Sequence, residues 1–334
     1  MNHREPTVVP PPHGGTDDAG APAIDFSTNA NALGPSPVAM EALAAADPSR
    51  YPDPAYTEVR GAIGGLHDRD PDEVVVGGGA CELIHRAVRT AAGPVVLLEP
   101  TFGEYRYAAA LARAPVRATA DAEAFIAALP GAALAVLCVP SSPAGIVQDE
   151  DWLHAAAAEA ATVGCRLLLD LAYHPLSEQR PALPESAWQV WAPNKAHGVT
   201  GVRAAYLLAP SADVTALRAA PSWVLSAHGA AFLRCVPDPA AHRWVRETRR
   251  TLWGWRDELT TSLRALDLRV DVGAANYLLV HVGNATATTS RLRAAGIGVR
   301  DATSFGIPTA LRLSAQPPAA QAALCAALGA PGST

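Results

Sequence analysis

Short apolar runs alternate with longer stretches of helical period through most of the chain. Residues 73–76, 95–98, 134–139, 166–170 and 204–208 are apolar on both faces and predict strands. Residues 81–92, 105–112 and 151–163 carry apolar positions at helical spacing and predict helices between those strands. Strands apolar on both faces, alternating with helices, imply a mostly parallel sheet covered on its two sides, an α/β architecture. The pattern changes after about residue 218. A long helix is expected over 239–265, with Gly254 as a possible bend. Short strands follow at 268–272, 277–281 and 310–314, with helices near 287–295 and 318–328. That part predicts a smaller α+β lobe. Residues 10–36 are rich in Pro, Gly and Asn and have little helical period, so they predict an arm crossing the surface or a cleft. The expected division is an N-terminal arm at 1–40, a large domain at 41–218 and a small domain at 219–334. No internal repeat is present.

Composition narrows the partners. The chain has 334 residues, 49% hydrophobic and 17% charged, enough for a sizeable core. A net charge of −6 argues against nucleic acid, whose binding is driven by phosphate neutralisation. No apolar run is long enough to span a bilayer. The five cysteines are widely spaced and contain no C-x-x-C pair, which predicts reduced thiols and no zinc site. Residues 1–12 are polar and proline-rich with no apolar signal region. Together these features predict a cytoplasmic protein without a metal.

One position stands apart. Lys195 is the only lysine among 26 basic residues. Arginine has replaced lysine wherever a plain positive charge suffices. It cannot do so where a neutral primary amine must attack a carbonyl, because guanidinium stays protonated. Asp170 closes an apolar strand and Tyr173 follows it, at the strand end where ligands gather in such sheets. A carboxylate there is ordinarily a helix cap or loop residue. Beside an amine-bound pyridine cofactor it would keep the ring nitrogen protonated. Arg203, eight residues after Lys195, is by itself an ordinary surface charge, but after a lysine and glycines it can hold a phosphate. Gly77-Gly78-Gly79 lies between a strand and a helix, where backbone amides can approach a phosphate. Its spacing matches neither the P-loop nor the dinucleotide fingerprint. Phe102 follows the next strand and could stack on a flat ring or simply fill core.

These residues, with Asp25-Phe26-Ser27-Thr28-Asn29, Leu33-Gly34-Pro35, Arg50-Tyr51-Pro52-Asp53, Ala275-Asn276-Tyr277 and the segment from Arg300 to Pro308, resemble the fold-type I, class I/II enzymes that depend on pyridoxal 5'-phosphate. The likeness is greatest to the branch holding histidinol-phosphate aminotransferase and threonine-phosphate decarboxylase, and it covers nearly the whole chain. It implies a seven-stranded large domain, a small domain and a homodimer with shared active sites. Lys195 would carry the cofactor as a Schiff base and shuttle the proton. Asp170 would pair with the ring nitrogen, Tyr173 with the phenolic oxygen, and Phe102 would stack on the ring. Gly79, Ala80, Cys81, Asn194 and Arg203 would hold the phosphate, with Tyr51 reaching that of the neighbouring subunit. Arg312 would bind the substrate carboxylate as a fork. Asn31 and His13 would lie on the substrate side.

The sequence departs from this family at three places. Ser142 stands where the family has an asparagine for the phenolic oxygen. Ala192-Pro193-Asn194-Lys195 lacks both hydroxyls expected before the lysine. Asn31-Ala32-Leu33-Gly34 replaces N-P-L-G. These changes suggest a divergent member. The leading expectation is an aminotransferase acting on an amino acid or phosphorylated relative of one. A decarboxylase is the alternative, favoured by His13-Gly14-Gly15 and Ser304-Phe305-Gly306. A cofactor-binding protein without turnover is the third, supported by Ser142 and Ala192 alone.

Overall fold

The computed structural model describes residues 9–329. Thirteen strands are numbered in chain order: β1 Ile24–Asp25, β2 Val74–Gly77, β3 Val95–Leu98, β4 Val116–Thr119, β5 Leu134–Cys138, β6 Arg166–Asp170, β7 Trp188–Trp191, β8 Ala205–Leu208, β9 Val270–Val272, β10 Tyr277–His281, β11 Ile297–Gly298, β12 Arg300–Asp301 and β13 Ala310–Ser314. The large domain is a seven-stranded sheet in the order β2-β8-β7-β6-β5-β3-β4. Only β8 runs antiparallel to its neighbours β2 and β7.

Alternate side chains of each strand enter opposite layers. Val75, Leu97, Leu168 and Leu207 pack against the helices Ala80–Ala91 and Glu104–Leu111. Val96, Ala135, Leu137, Leu167 and Leu169 pack against Ala122–Ala127 and Glu150–Thr162. Burial on both faces explains why these runs read as continuously apolar rather than alternating. Two strands lacked that signature. β4 is an edge strand, and its Arg117 and Ala118 are exposed. β7 is central but contains Gln189, whose amide is buried and donates to the Pro184 carbonyl.

The small domain is an antiparallel sheet in the order β12-β13-β10-β9. It packs on Leu259 and Leu263 of the helix Pro239–Arg264. That helix runs uninterrupted through Gly254, where an added Cβ would meet nothing within 4 Å. Asp238 caps its N-terminus by accepting from the Ala240 amide. The change of packing comes later in the chain than residue 218. The helix Ala227–Cys235 still lies on the large domain, where Phe232 and Leu233 meet Val59, Ile63 and Val74. The arm also bridges the two parts. β1 pairs in parallel with β11, and Phe26 is fully buried in the small-domain core. Arg256 holds the domains together from the long helix, donating to the Gly273 and Ala275 carbonyls and pairing with Glu178.

Candidate active site

The carboxyl ends of β5, β6 and β7, the arm and the small-domain sheet surround a cavity of about 240 Å³. Asp170 is the last residue of β6 and is 3% exposed. One carboxylate oxygen accepts from the Tyr105 hydroxyl at 2.7 Å, the other from the Ala172 amide at 3.0 Å. Burial pushes its carboxyl above the usual range, opposed by these two hydrogen bonds and by the charge of Lys195. A buried carboxylate with free lone pairs can therefore meet a cationic or N–H partner in the cavity.

Lys195 enters from the loop after β7. Its Nζ lies 5.8 Å from the centre of the Tyr173 ring, and that ring meets Tyr277 edge-on at 5.2 Å. The Lys195 carbonyl accepts the Asn31 amide, so the arm is stitched to the lysine loop. Asn194 donates to the Val202 carbonyl at 3.1 Å, while its Oδ1 is buried without a partner on the cavity wall.

At one end of the cavity, Ala80 and Cys81 open the helix Ala80–Ala91. Gly79 precedes them at φ +118°, and a Cβ there would lie 2.5 Å from Arg203 Nη2. A side chain would fill the space between the helix N-terminus and the guanidinium. The result is a cradle of amides and one cation suited to a phosphate. Phe102 lines the cavity between the arm and the sheet. With a buried carboxylate, an amine, an aromatic wall and a phosphate cradle around one space, these residues fit pyridoxal phosphate.

The small-domain sheet brings two arginines to the same cavity. Arg312 of β13 is cross-strand partner to Arg300 of β12, and both side chains are buried and line the cavity. Arg312 donates to Ser142 Oγ at 2.7 Å and to the Ser27 carbonyl at 3.0 Å, and its Nε has no partner. Arg300 donates to the Pro12 carbonyl and Ser304, and its guanidinium stacks over Phe305 at 4.8 Å. Burial and the adjacent Arg312 bring Arg300 down to about 10, so it remains charged at neutral pH.

His13 also reaches the cavity. Gly14 allows this, because a Cβ there would lie 2.5 Å from the Ser27 carbonyl oxygen, and the Gly15 amide donates to Ser27 Oγ at 2.7 Å. His13 Nε2 is 2.9 Å from Glu104, whose other oxygen is 2.7 Å from His85 Nε2. Burial would raise Glu104, but the hydrogen bonds and charge of the two histidines outweigh it and hold the carboxyl at about 2.

Ser142 lines the cavity but is turned to Arg312. Asn31 is not on the cavity wall. Its amide nitrogen donates to Ala196 O and Thr248 Oγ1, and its oxygen accepts from the Leu33 amide. Tyr51 lies outside the cavity of its own chain, 80% exposed and against Trp223 at 4.6 Å between ring centres.

Sequence reasoning missed Arg300, Glu104, Tyr105 and Asn29. Asn29 is 1% exposed on the cavity wall, and both its amide atoms lack partners. Arg300 lay within a quoted motif, but only strand pairing sets it beside Arg312.

A lysine, a buried carboxylate and a phosphate cradle around one cavity are what amino-group chemistry on a pyridine cofactor requires. The model of the family "Aminotransferase class I and II" matches residues 21–328. Histidinol-phosphate aminotransferase of Jannaschia sp. (strain CCS1) is 31% identical over 316 residues, covering 88% of this chain and 87% of its own. The structure of histidinol-phosphate aminotransferase from Sinorhizobium meliloti in complex with pyridoxal-5'-phosphate superposes with a TM-score of 0.81 at 23% identity, covering 93% of this chain and 91% of that one. L-threonine-O-3-phosphate decarboxylase from Porphyromonas gingivalis gives 0.82 at 18% identity, covering 91% and 98%. The chain belongs to the class I and II aminotransferases. It is a pyridoxal-phosphate-dependent enzyme of fold type I.

Proposed function

We propose that this aminotransferase acts on a small amine bearing a phosphate or carboxylate, and that Arg300 and Arg312 receive that anion. The observation that carries the reading is the pair of buried guanidiniums on adjacent strands, opening into the cavity that holds Lys195. Two buried like charges side by side are costly unless an anion joins them. Arg312 Nε, which has no partner, is an available donor. The relative from Jannaschia is named for a phosphorylated substrate, which agrees with this anion site.

When bound, pyridoxal phosphate withdraws electrons from the substrate's α-carbon and exchanges its amino group. Gly79, Ala80, Cys81, Asn194 and Arg203 would hold its phosphate, Phe102 would cover the ring, and Asp170 would pair with the ring nitrogen. Tyr173 would serve the phenolic oxygen. Lys195 Nζ takes the α-proton and returns it on the other side of the reaction. Arg312 and Arg300 fix the substrate's anionic end, so that the α-hydrogen rather than another bond is presented to Lys195. His13 closes the cavity from the arm. Ser142 positions Arg312, and Asn31 ties the arm to the lysine loop. In our reading Tyr51 reaches the phosphate end of a second copy's site. The exposed Tyr51–Trp223 pair supports that homodimer. The five free cysteines agree with residence in the cytoplasm, and no helix of the described residues is long and apolar enough to cross a membrane.

The test is a single-turnover spectrum of the holoprotein against amino acids, histidinol phosphate and O-phospho-amino acids, with keto product and carbon dioxide assayed together. Keto product without carbon dioxide, greatest for a phosphorylated or dicarboxylic amine, is the expected result. Carbon dioxide with return of the starting spectrum would instead make the chain a decarboxylase. Equal rates with uncharged amines would remove the anion site.

A further inference from the structure

We propose that the cleft between the helix Pro239–Arg264 and strands β7 and β8 is a second ligand site, shaped for a small molecule bearing a phosphate group. It is separate from the catalytic cavity and encloses about 510 Å³, within the range of small-molecule pockets. The segment at residues 192–197 forms part of both walls. Ala192, Asn194 and Lys195 line the catalytic cavity, while Pro193, Ala196 and His197 line this cleft.

The charge is one-sided. Arg180, Arg246 and Arg249 line the cleft, and no aspartate or glutamate does so among the described residues. Arg249 is brought down to about 10, by burial first and then by Arg180, Arg250 and Arg246. In a chain of net charge −6 such a cluster, without a lining carboxylate, is a local attractor for anions.

The second observation is unmet hydrogen bonding. His174 is 9% exposed and His197 is 4% exposed, both line the cleft, and His174 Nε2, His197 Nδ1 and Arg249 Nε are buried without partners. Buried polar atoms are normally paired, and orphans point to a missing partner. Arg249 Nε needs an acceptor. Each unpartnered histidine nitrogen needs a donor or an acceptor according to the tautomer of the neutral ring, and an acceptor once the ring is protonated. A phosphate monoester supplies both, because its second ionisation lies near pH 6 and it carries acceptor oxygens as well as an exchangeable proton. A carboxylate, fully ionised at that pH, supplies acceptors only. Leu66, Trp191 and Tyr206 form an apolar wall that would take the organic part.

The experiment is calorimetric titration of the holoprotein with pyrophosphate and, separately, with inorganic phosphate. In the holoprotein the cofactor's own phosphate would occupy the cradle of Gly79, Ala80, Cys81 and Arg203. The variant Arg180→Ala/Arg246→Ala removes two exposed arginines of the cleft and touches nothing in the catalytic cavity. The variant Arg312→Ala removes the anion anchor of the catalytic cavity. The expected result is a saturable pyrophosphate site that survives Arg312→Ala and weakens by about tenfold or more in the double variant. Unchanged melting temperature and cofactor absorbance show that the double variant is folded. Binding that disappears in Arg312→Ala, binding unaffected by the double variant, or no saturable binding at millimolar concentration would each overturn the proposal.

Discussion

At the scale of single residues, the site is organised by how buried polar atoms find partners. Arg312 lines the cavity with its two Nη groups held by Ser142 Oγ and the Ser27 carbonyl and its Nε unpartnered. A lysine keeps the charge but has no planar fork, so Arg312→Lys is expected to lose about tenfold to a hundredfold in kcat/KM for the anionic substrate. Steady-state kinetics against the best donor and an uncharged amine checks this, and equal losses for both would move the anchor elsewhere. Lys195→Arg is expected to abolish turnover, because the guanidinium stays protonated and cannot take a proton from carbon. Absence of exchange over many enzyme equivalents, with the protein still folded by circular dichroism, is the readout. The singular lysine was legible in sequence because the rest of the chain avoids lysine. Arg300 was not legible in the same way. It is one arginine among 25, and its burial beside Arg312 arises only when β12 pairs with β13.

At the scale of elements, glycines decide where the chain can come close. Gly79 has φ +118° and is in the space of Arg203, so Gly79→Ala strains the backbone and displaces the guanidinium together. Affinity of the apoprotein for pyridoxal phosphate is expected to fall by about tenfold or more, measured by titration of absorbance. Retained affinity would show that the cradle is not the phosphate site. The arm works by the same principle. Gly14 presses on Ser27, Arg300 holds Pro12, and His13 meets Glu104. His13→Ala is expected to raise KM for the anionic donor several-fold while leaving cofactor affinity unchanged. An unaltered KM would remove the arm from substrate binding. The helices and strands read from periodicity are present with ends displaced by one or two residues, but helices such as Thr57–His67 and Ala227–Cys235 were not read at all. Nor were the edge strand β4 and the Gln-containing β7, since neither carries the doubly apolar signature.

For the whole molecule, three histidines, two buried and one partly buried, set a limit on acid stability. His67, His174 and His197 are each held down to about 4 from 6.5, by burial first and then by neighbouring cationic groups. The unfolded chain takes up these protons as pH falls through 6.5, whereas the folded chain resists until about 4. The unfolded state therefore binds more protons in that window, and stability is full above 6.5 and falls as pH drops toward 4. Each histidine contributes a loss of about 2 kcal/mol at pH 5. Urea unfolding of the holoprotein at pH 7.5, 6 and 5 should show a progressive fall in unfolding free energy, and a flat profile would mean that these rings are solvated. A bound phosphate in the cleft beside His174 and His197 would lessen the fall.

Sequence by itself determined the class of fold and singled out Lys195 and Asp170 as the candidate amine and carboxylate. These are local signals, because a doubly buried strand must be apolar on both faces and a Schiff-base nucleophile must be lysine. It also marked Gly79, since a glycine-rich segment between a strand and a helix lets backbone amides approach a ligand. Tertiary structure alone decided what those residues meet. It turned Ser142 toward Arg312, drew Asn31 away from the cavity, put Tyr105 on Asp170 and set Arg300 beside Arg312. The first three join positions between 65 and 170 residues apart in the chain, and the last joins two neighbouring strands of the small-domain sheet. Their contacts depend on strand order and domain approach, which local periodicity does not encode.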